Sequence, residues 1–406
     1  MTKRLFSLRG LRRTLALALL CTSAAAAAPS ADEQIETGRY LAVAANCAGC
    51  HTAAGGEPYA GGTPLSTDFG VFYGPNITPS RSHGIGAWTA DDFWQALHQG
   101  VAPDGSALYP AFPYPQYTQL TRADSDALYA YLMSQPAVDQ PNTPHALRFP
   151  YDQRWLLSVW RALYFKPGGL EPVDGQSTRW HRGRYLVEAA GHCAACHTPR
   201  NTWAANDLRR SFQGAIMPDS KWYATPLTND AAGLAEWSDD DIVQLLRTGS
   251  APQGTAGGPM AEVVSDSTQH LSDDDLRAMA HYLKSLSGAA SAPRAEAPPE
   301  ASMAIGRRVY EQHCASCHGA SGEGAPPEWP SLVGNASVRA TSANNVVLTI
   351  LKGGYAPTTR ANPRPHGMPP FHALTDSEVA AVATYIRNSW GNAAGPVAAH
   401  HVTPLR

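Results

Sequence analysis

Cys47-Ala48-Gly49-Cys50-His51, Cys193-Ala194-Ala195-Cys196-His197 and Cys314-Ala315-Ser316-Cys317-His318 are three copies of one pattern, Cys-x-x-Cys-His. The pattern is the attachment signature of c-type haem. Two thiols add to the porphyrin vinyl groups as thioethers, and the following histidine supplies one axial bond to iron. The two-residue gap sets both cysteines on one helical turn, facing the macrocycle edge. Three copies predict three covalently bound haem c groups. Several haems along one chain predict electron transport.

The cysteine count supports this reading. The chain has seven cysteines; all but Cys21 lie inside the three motifs. Three disulfides, or structural zinc on the Cys-x-x-Cys pairs, are the rival readings. Neither explains why a histidine follows the second cysteine each time.

At 406 residues the chain exceeds one small domain. Lys3, Arg4, Arg9, Arg12 and Arg13 precede a short apolar run, Leu15 to Leu20, and an alanine-rich stretch. This reads as a cleaved signal peptide over 1–28. The apolar run is too short to span a bilayer. Leu20 before Cys21 is a poor fit to lipoprotein processing. Residues 1–28 hold five basic and no acidic side chains, so removing them takes the net charge from −3 to −8. No basic stripe remains, which argues against a nucleic-acid partner.

The motifs sit inside a longer repeat. A helix-like segment precedes each: Gly38-Arg39-Tyr40-Leu41, Gly183-Arg184-Tyr185-Leu186 and Gly306-Arg307-Arg308-Val309-Tyr310. Closing helices are predicted from capping patterns at Thr121–Asp124, Ser272–Asp275 and Thr375–Glu378. In the last of these, Val379, Val382, Ala383, Ile386 and Trp390 recur at helical spacing and form the expected buried face. Middle helices start at Thr89 and Ser238. The third repeat offers Ser342-Ala343-Asn344-Asn345, without the acid. Asp239 to Asp241 therefore read as a helix N-terminus rather than a metal site.

The prediction is an all-α fold: domain 1 over 33–145, a connecting helix over 146–176, domain 2 over 177–288, a linker over 289–300, domain 3 over 301–391 and an irregular tail over 392–406. Trp155 to Phe165 form a strongly apolar short helix in the connection. It packs between the first two domains, or it offers a docking surface for another subunit or the membrane interface.

A second axial ligand is expected before each closing helix. Methionine raises the potential because soft thioether sulfur favours ferrous iron. Met368 in Gly367-Met368-Pro369 and Met260 in Gly258-Pro259-Met260 fit, with Met217 a weaker rival for the second site. Met279 and Met133 read as core positions of closing helices. In the first repeat the loop reads Leu108-Tyr109-Pro110-Ala111-Phe112-Pro113-Tyr114. Phenylalanine cannot ligate iron, so the first haem is expected to be five-coordinate or to take a ligand other than methionine. His98 on the middle helix is a substitute candidate, weighed below a surface role. The metal ligands expected are His51, His197, Met260, His318 and Met368, and no residue is nominated as catalytic.

The chain resembles the triheme cytochrome c subunits of bacterial membrane-bound dehydrogenases: quinoprotein alcohol dehydrogenase and the flavin-dependent gluconate, sorbitol and fructose dehydrogenases. The resemblance rests on the three motifs, Gly74-Pro75-Asn76-Ile77-Thr78-Pro79, Gly84-Ile85-Gly86-Ala87-Trp88-Thr89, Tyr109-Pro110-x-x-Pro113-Tyr114 and Arg154-Trp155-Leu156. It covers nearly the whole mature chain. The family has Met where this chain has Phe112; Met260 and Met368 match.

The resemblance implies three tandem class I cytochrome c-like domains. It implies a subunit on the periplasmic side of the cytoplasmic membrane, not catalytic alone. Its partners would be a large dehydrogenase subunit of PQQ, FAD or molybdenum type, a possible small subunit, ubiquinone and the membrane surface. A free periplasmic multihaem carrier and a haem peroxidase using an open first haem are the alternatives. The peroxidase needs a distal acid or base, and the surroundings of Phe112 offer none.

Overall fold

Three helix pairs organise the chain, and a glycine sets each crossing. In the computed structural model, which describes residues 2, 29–218, 220–288, 296–326 and 328–406, the helix Ala31–Ala44 crosses Arg122–Met133. Thr178–Arg184, continued as a π-helix over Tyr185–Ala190, crosses Asp273–Ser285. Glu300–His313 crosses Asp376–Arg387. A Cβ on Gly38, Gly183 or Gly306 would lie 1.9, 1.9 or 2.2 Å from the carbonyl oxygen of Ala127, Ala278 or Ala381. The helices touch backbone to backbone, and only glycine permits it. The predicted signal peptide and most of the linker lie outside the described residues.

The helix starts follow the predicted caps. Thr121, Ser272 and Thr375 each accept the backbone N–H three residues on. Thr89 and Ser238 close capping boxes on Asp92 and Asp241. The Asp239–Asp241 run is thus the first turn of the helix Asp239–Thr248. The third middle helix differs: it runs Asn344–Lys352 from Ala343 with no side-chain cap of its own. Ser342 Oγ accepts the N–H of Asn344 at 3.2 Å instead.

Two expectations change in the third repeat. Val379, Val382, Ala383 and Ile386 are buried as predicted, but the helix stops at Arg387. Trp390 lies beyond it with a positive φ and folds back against Tyr310 and Tyr385, ring centroids 5.0 and 5.4 Å away. The tail over 392–406, expected to be irregular, carries a helical turn at Ala399–Val402 and a 3₁₀ turn at Thr403–Leu405. Val397, Val402 and Leu405 supply the apolar contacts that order it. Arg387, 2% exposed, donates from its guanidinium to the carbonyls of Val338, Ala340 and Ala394. A charged side chain buried on a helix face otherwise read as apolar is the anchor of that tail.

The all-α expectation needs one amendment. Pro64–Thr67, Gly70–Tyr73 and Ala146–Leu147 form a small antiparallel sheet, and three two-residue ribbons follow in later repeats. Helices still carry the cores. Leu41, Leu97 and Leu128 of the first repeat pack in one cluster with Leu186, Leu246 and Leu276 of the second. Val309, Leu348 and Val382 of the third belong to a separate cluster.

The connecting helix is Leu156–Tyr164. Leu157 and Phe165 are buried, and Arg161 caps the carbonyls of Gln99 and Gly100 while lying over the Tyr114 ring. Trp160 donates to Trp203 O at 2.8 Å, so the helix touches both of the first two repeats. Its opposite face, Trp155, Val159 and Leu163, stays exposed. Among the described residues no helix is long and apolar enough to cross a membrane.

Candidate haem-binding sites

Each motif forms one short helical turn: Cys47–His51, Ala194–His197 and Ala315–His318. The residues before the first two motifs, Asn46 and His192, take left-handed backbone with φ of 48° and 38°. That reversal ends the opening helix and starts the turn at once. None of the six motif cysteines is in a disulfide. Burial pushes the Cys47 and Cys193 thiols up to about 12 and Cys314 to about 11. They are neutral thiols packed against apolar core.

The histidines share one further bond. His51 Nδ1 lies 2.7 Å from Pro75 O, His197 Nδ1 2.6 Å from Thr225 O, and His318 Nδ1 3.1 Å from Pro330 O. With Nδ1–H donated to a carbonyl, Nε2 keeps its lone pair for a metal. Burial lowers the pKa of all three imidazoles and keeps them neutral. The main chain of each histidine is tied as well. Gly61, Gly214 and Gly324, all at positive φ, donate their N–H to the carbonyls of His51, His197 and His318 at 2.7, 2.9 and 2.8 Å. These glycines and carbonyl partners escape sequence reading because their distances from the histidine vary between repeats.

Side chains hold the carbonyl segment in the first repeat. Asn76, 2% exposed, donates to the carbonyls of Val138 and Gln140 and accepts from Thr78. A Cβ on Gly74 would sit 1.8 Å from Cys50 O, so this segment lies directly against the motif. A cavity of about 400 Å³, lined by Pro75, Tyr109, His145 and Arg154, opens where it faces the 108–114 loop.

The donor sets fit haem better than zinc. Among the described residues no three His, Cys, Asp or Glu side chains converge as a metal site. A structural zinc needs four such ligands at one point. Each motif instead presents two thiols and one oriented imidazole nitrogen, the set that holds a porphyrin by its edge and its iron.

The distal candidates separate by repeat. Met260 sits in the first turn of the helix Pro259–Asp266, half-buried against the shared core. Met368 is half-buried against the third core, on a ribbon that pairs Gly367–Met368 with Gly354–Tyr355. Met217 lies at the turn of the Ala215–Ala224 ribbon, its N–H bonded to Trp222 O. Met279 is buried core, and Met133 packs at the end of its closing helix. In the first repeat Phe112 points its ring at Tyr117, centroids 5.5 Å apart. His98 stacks flat on Trp94 at 4.3 Å.

The family model described as Cytochrome c matches residues 35–136, 181–287 and 303–390. The gluconate 2-dehydrogenase cytochrome c subunit of Pantoea cypripedii is 39% identical over 97% of this chain and 94% of its own length. The cytochrome c subunit of the quinone alcohol dehydrogenase of Gluconobacter oxydans is 37% identical over 98% of this chain and 88% of its own. A diheme cytochrome c-type protein of Cereibacter sphaeroides is 41% identical over 61% of this chain and 84% of its own.

Proposed function

The chain belongs to the cytochrome c family, and from that premise we propose that it is a triheme electron-transfer subunit of a membrane-bound dehydrogenase complex. Covalent haem c, when bound, supplies one-electron chemistry at iron. The residues that would hold it are Cys47, Cys50 and His51 in a domain spanning 33–145, Cys193, Cys196 and His197 in 177–288, and Cys314, Cys317 and His318 in 301–391. The observation that carries this reading is the repeated tie of each motif histidine Nδ1 to a carbonyl, which leaves three oriented Nε2 lone pairs.

Met260 and Met368 would supply the distal thioethers of the second and third sites. Phe112 supplies none to the first, which sets its potential below the other two. The first cysteine of each motif packs against apolar core, while Cys50 and Cys317 stay open at the surface. No side chain acts as a catalytic acid or base; substrate oxidation belongs to a separate subunit with its own cofactor of PQQ, FAD or molybdenum type. Electrons would leave for ubiquinone or the respiratory chain at the periplasmic face of the cytoplasmic membrane, with residues 1–28 as the export signal. The gluconate and alcohol dehydrogenase relatives support this assignment.

The test is gentle detergent extraction of the tagged chain from membranes, with haem quantitation and mass spectrometry of what co-purifies. Three haems per chain and a stoichiometric dehydrogenase are expected. A chain that carries three haems but fractionates alone in the soluble periplasm would overturn the subunit reading.

A further inference from the structure

The first two repeats exchange one contact reciprocally. Tyr40, two residues after Gly38, donates its hydroxyl to Asp275 Oδ2 at 2.6 Å and accepts the N–H of Ser272 at 3.1 Å. Tyr185, two residues after Gly183, donates to Asp124 Oδ2 and accepts the N–H of Thr121 at 3.1 Å. Each opening-helix tyrosine thus completes the N-terminus of the other repeat's closing helix, reaching the capping residue and the acid three positions on. The two halves are related as the halves of an isologous dimer interface are.

The third repeat lacks both parts. The position two residues after Gly306 is Arg308, and the acid is the longer Glu378. Glu378 turns back on its own helix, accepting the N–H of Thr375 at 2.9 Å. In the first two repeats that same N–H is given to the neighbour's tyrosine. The third repeat meets the second through other contacts: Asn345 exchanges two hydrogen bonds with the main chain of Tyr223, and Arg339 pairs with Glu236.

A second layer joins the attachment motifs themselves. His192, immediately before Cys193, lies with Nε2 3.2 Å from Ala45 O, two residues before Cys47. Tyr117 donates to the same carbonyl at 3.3 Å and meets the His192 ring edge-on. Ser267 donates to Ala44 O. The leading edges of the first and second motifs are therefore held one hydrogen bond apart.

Resting on the triheme reading above, we propose that Tyr40, Asp275, Tyr185 and Asp124 are positioning residues that lock the first two haem sites into one electron-exchanging pair, which the third site does not join in the same way. With haem bound at both sites, exchange would move one electron from ferrous to ferric iron, with no bond made or broken. Its rate would fall with the separation of the two sites, which the reciprocal bonds and the His192–Ala45 contact together would fix.

The test is Tyr40→Phe/Tyr185→Phe in the full haem-loaded chain, which removes two hydroxyls and keeps both rings. Haem content is counted first; a wild-type chain without three haems would refute the triheme reading and leave this one without its premise. In the loaded double variant, amide exchange at 121–126 and 272–277 is expected to rise while that at 375–380 stays fixed. Electron exchange within the first pair, followed by pulse radiolysis, is expected to slow relative to the wild-type chain. Faster amide exchange with an unchanged electron-exchange rate overturns the proposal, since it leaves the bonds a purely structural part. If the double variant fails to load haem, Tyr185→Phe alone, which keeps the Tyr40 half, is read by the same two measurements and the same criterion.

Discussion

The first two repeats and the third meet the same demand, two crossing helices around an attachment turn, by opposite means. The first two share one apolar cluster and hand each other's helix N-termini a tyrosine hydroxyl. The third closes its own capping box, keeps its own core, and recruits its tail and a buried arginine to complete it. A repeat that pairs lends its polar termini to a neighbour. A repeat that stands apart must satisfy them from within its own sequence, and the third has the C-terminal residues to do so.

The comparison predicts where damage spreads. Gly183→Val drives a side chain into the Ala278 carbonyl and should cost more than about 4 kcal/mol, unfolding the first two repeats together. The same change at Gly306 should melt only the third, visible as two separate calorimetric transitions. Arg387→Met takes the donor from the buried carbonyls of Val338 and Ala340 and the half-buried one of Ala394. It should cost about 3 kcal/mol or more, confined to the third transition. On the triheme reading, Phe112→Met would offer the first site a thioether. The lowest of the three potentials should then rise by on the order of 100 mV, with added methionine–iron absorbance in the ferric spectrum; no change would show that Phe112 does not face the first site.

Asp275 sharpens the contrast through pH. Burial raises its carboxyl pKa, but bonds from Arg182 and Tyr40 outweigh this and hold it below its ordinary 3.8. A depressed carboxyl stabilises the fold above its unfolded pKa. That stability is lost as pH falls below 3.8 through the folded value. The first transition should therefore lose about 1 kcal/mol in acid, a modest figure because Arg182 is partly exposed, and Asp275→Asn should flatten that part of the profile. Smallest of all, Arg339→Ala removes an exposed ion pair to Glu236 and should shift the third transition by less than about 0.5 kcal/mol.

Much of this architecture is legible in the chain because it is local. A motif turn, a capping threonine and a helical stripe each occupy a few neighbouring residues, and the motif turns and the caps fall where spacing places them, whereas Met260 and Met368, expected in loops, lie in a helical turn and on a ribbon. What escapes is pairing across distance. The carbonyl partners of His51, His197 and His318 stand 24, 28 and 12 residues away, with no common spacing to find. Tyr40 and Asp275 are 235 residues apart, and in the sequence Tyr40 reads as a residue of the opening helix and Asp275 as the acid of its own helix cap. Arg387 interrupts an apolar face that periodicity would have kept charge-free, and Trp390 continues that face on paper after the helix has ended.

The reciprocal tyrosines also bear on how such a chain could be cut and rejoined. The connection over 166–176 runs mostly exposed between two halves that each carry one donor and one receptor of the same contact. A nick there removes no part of either bond. Two fragments made separately would each display an unfinished helix end and the hydroxyl that finishes the other. They have the makings of a complementation pair, and a gene fusion joining two once-separate subunits would leave this arrangement behind.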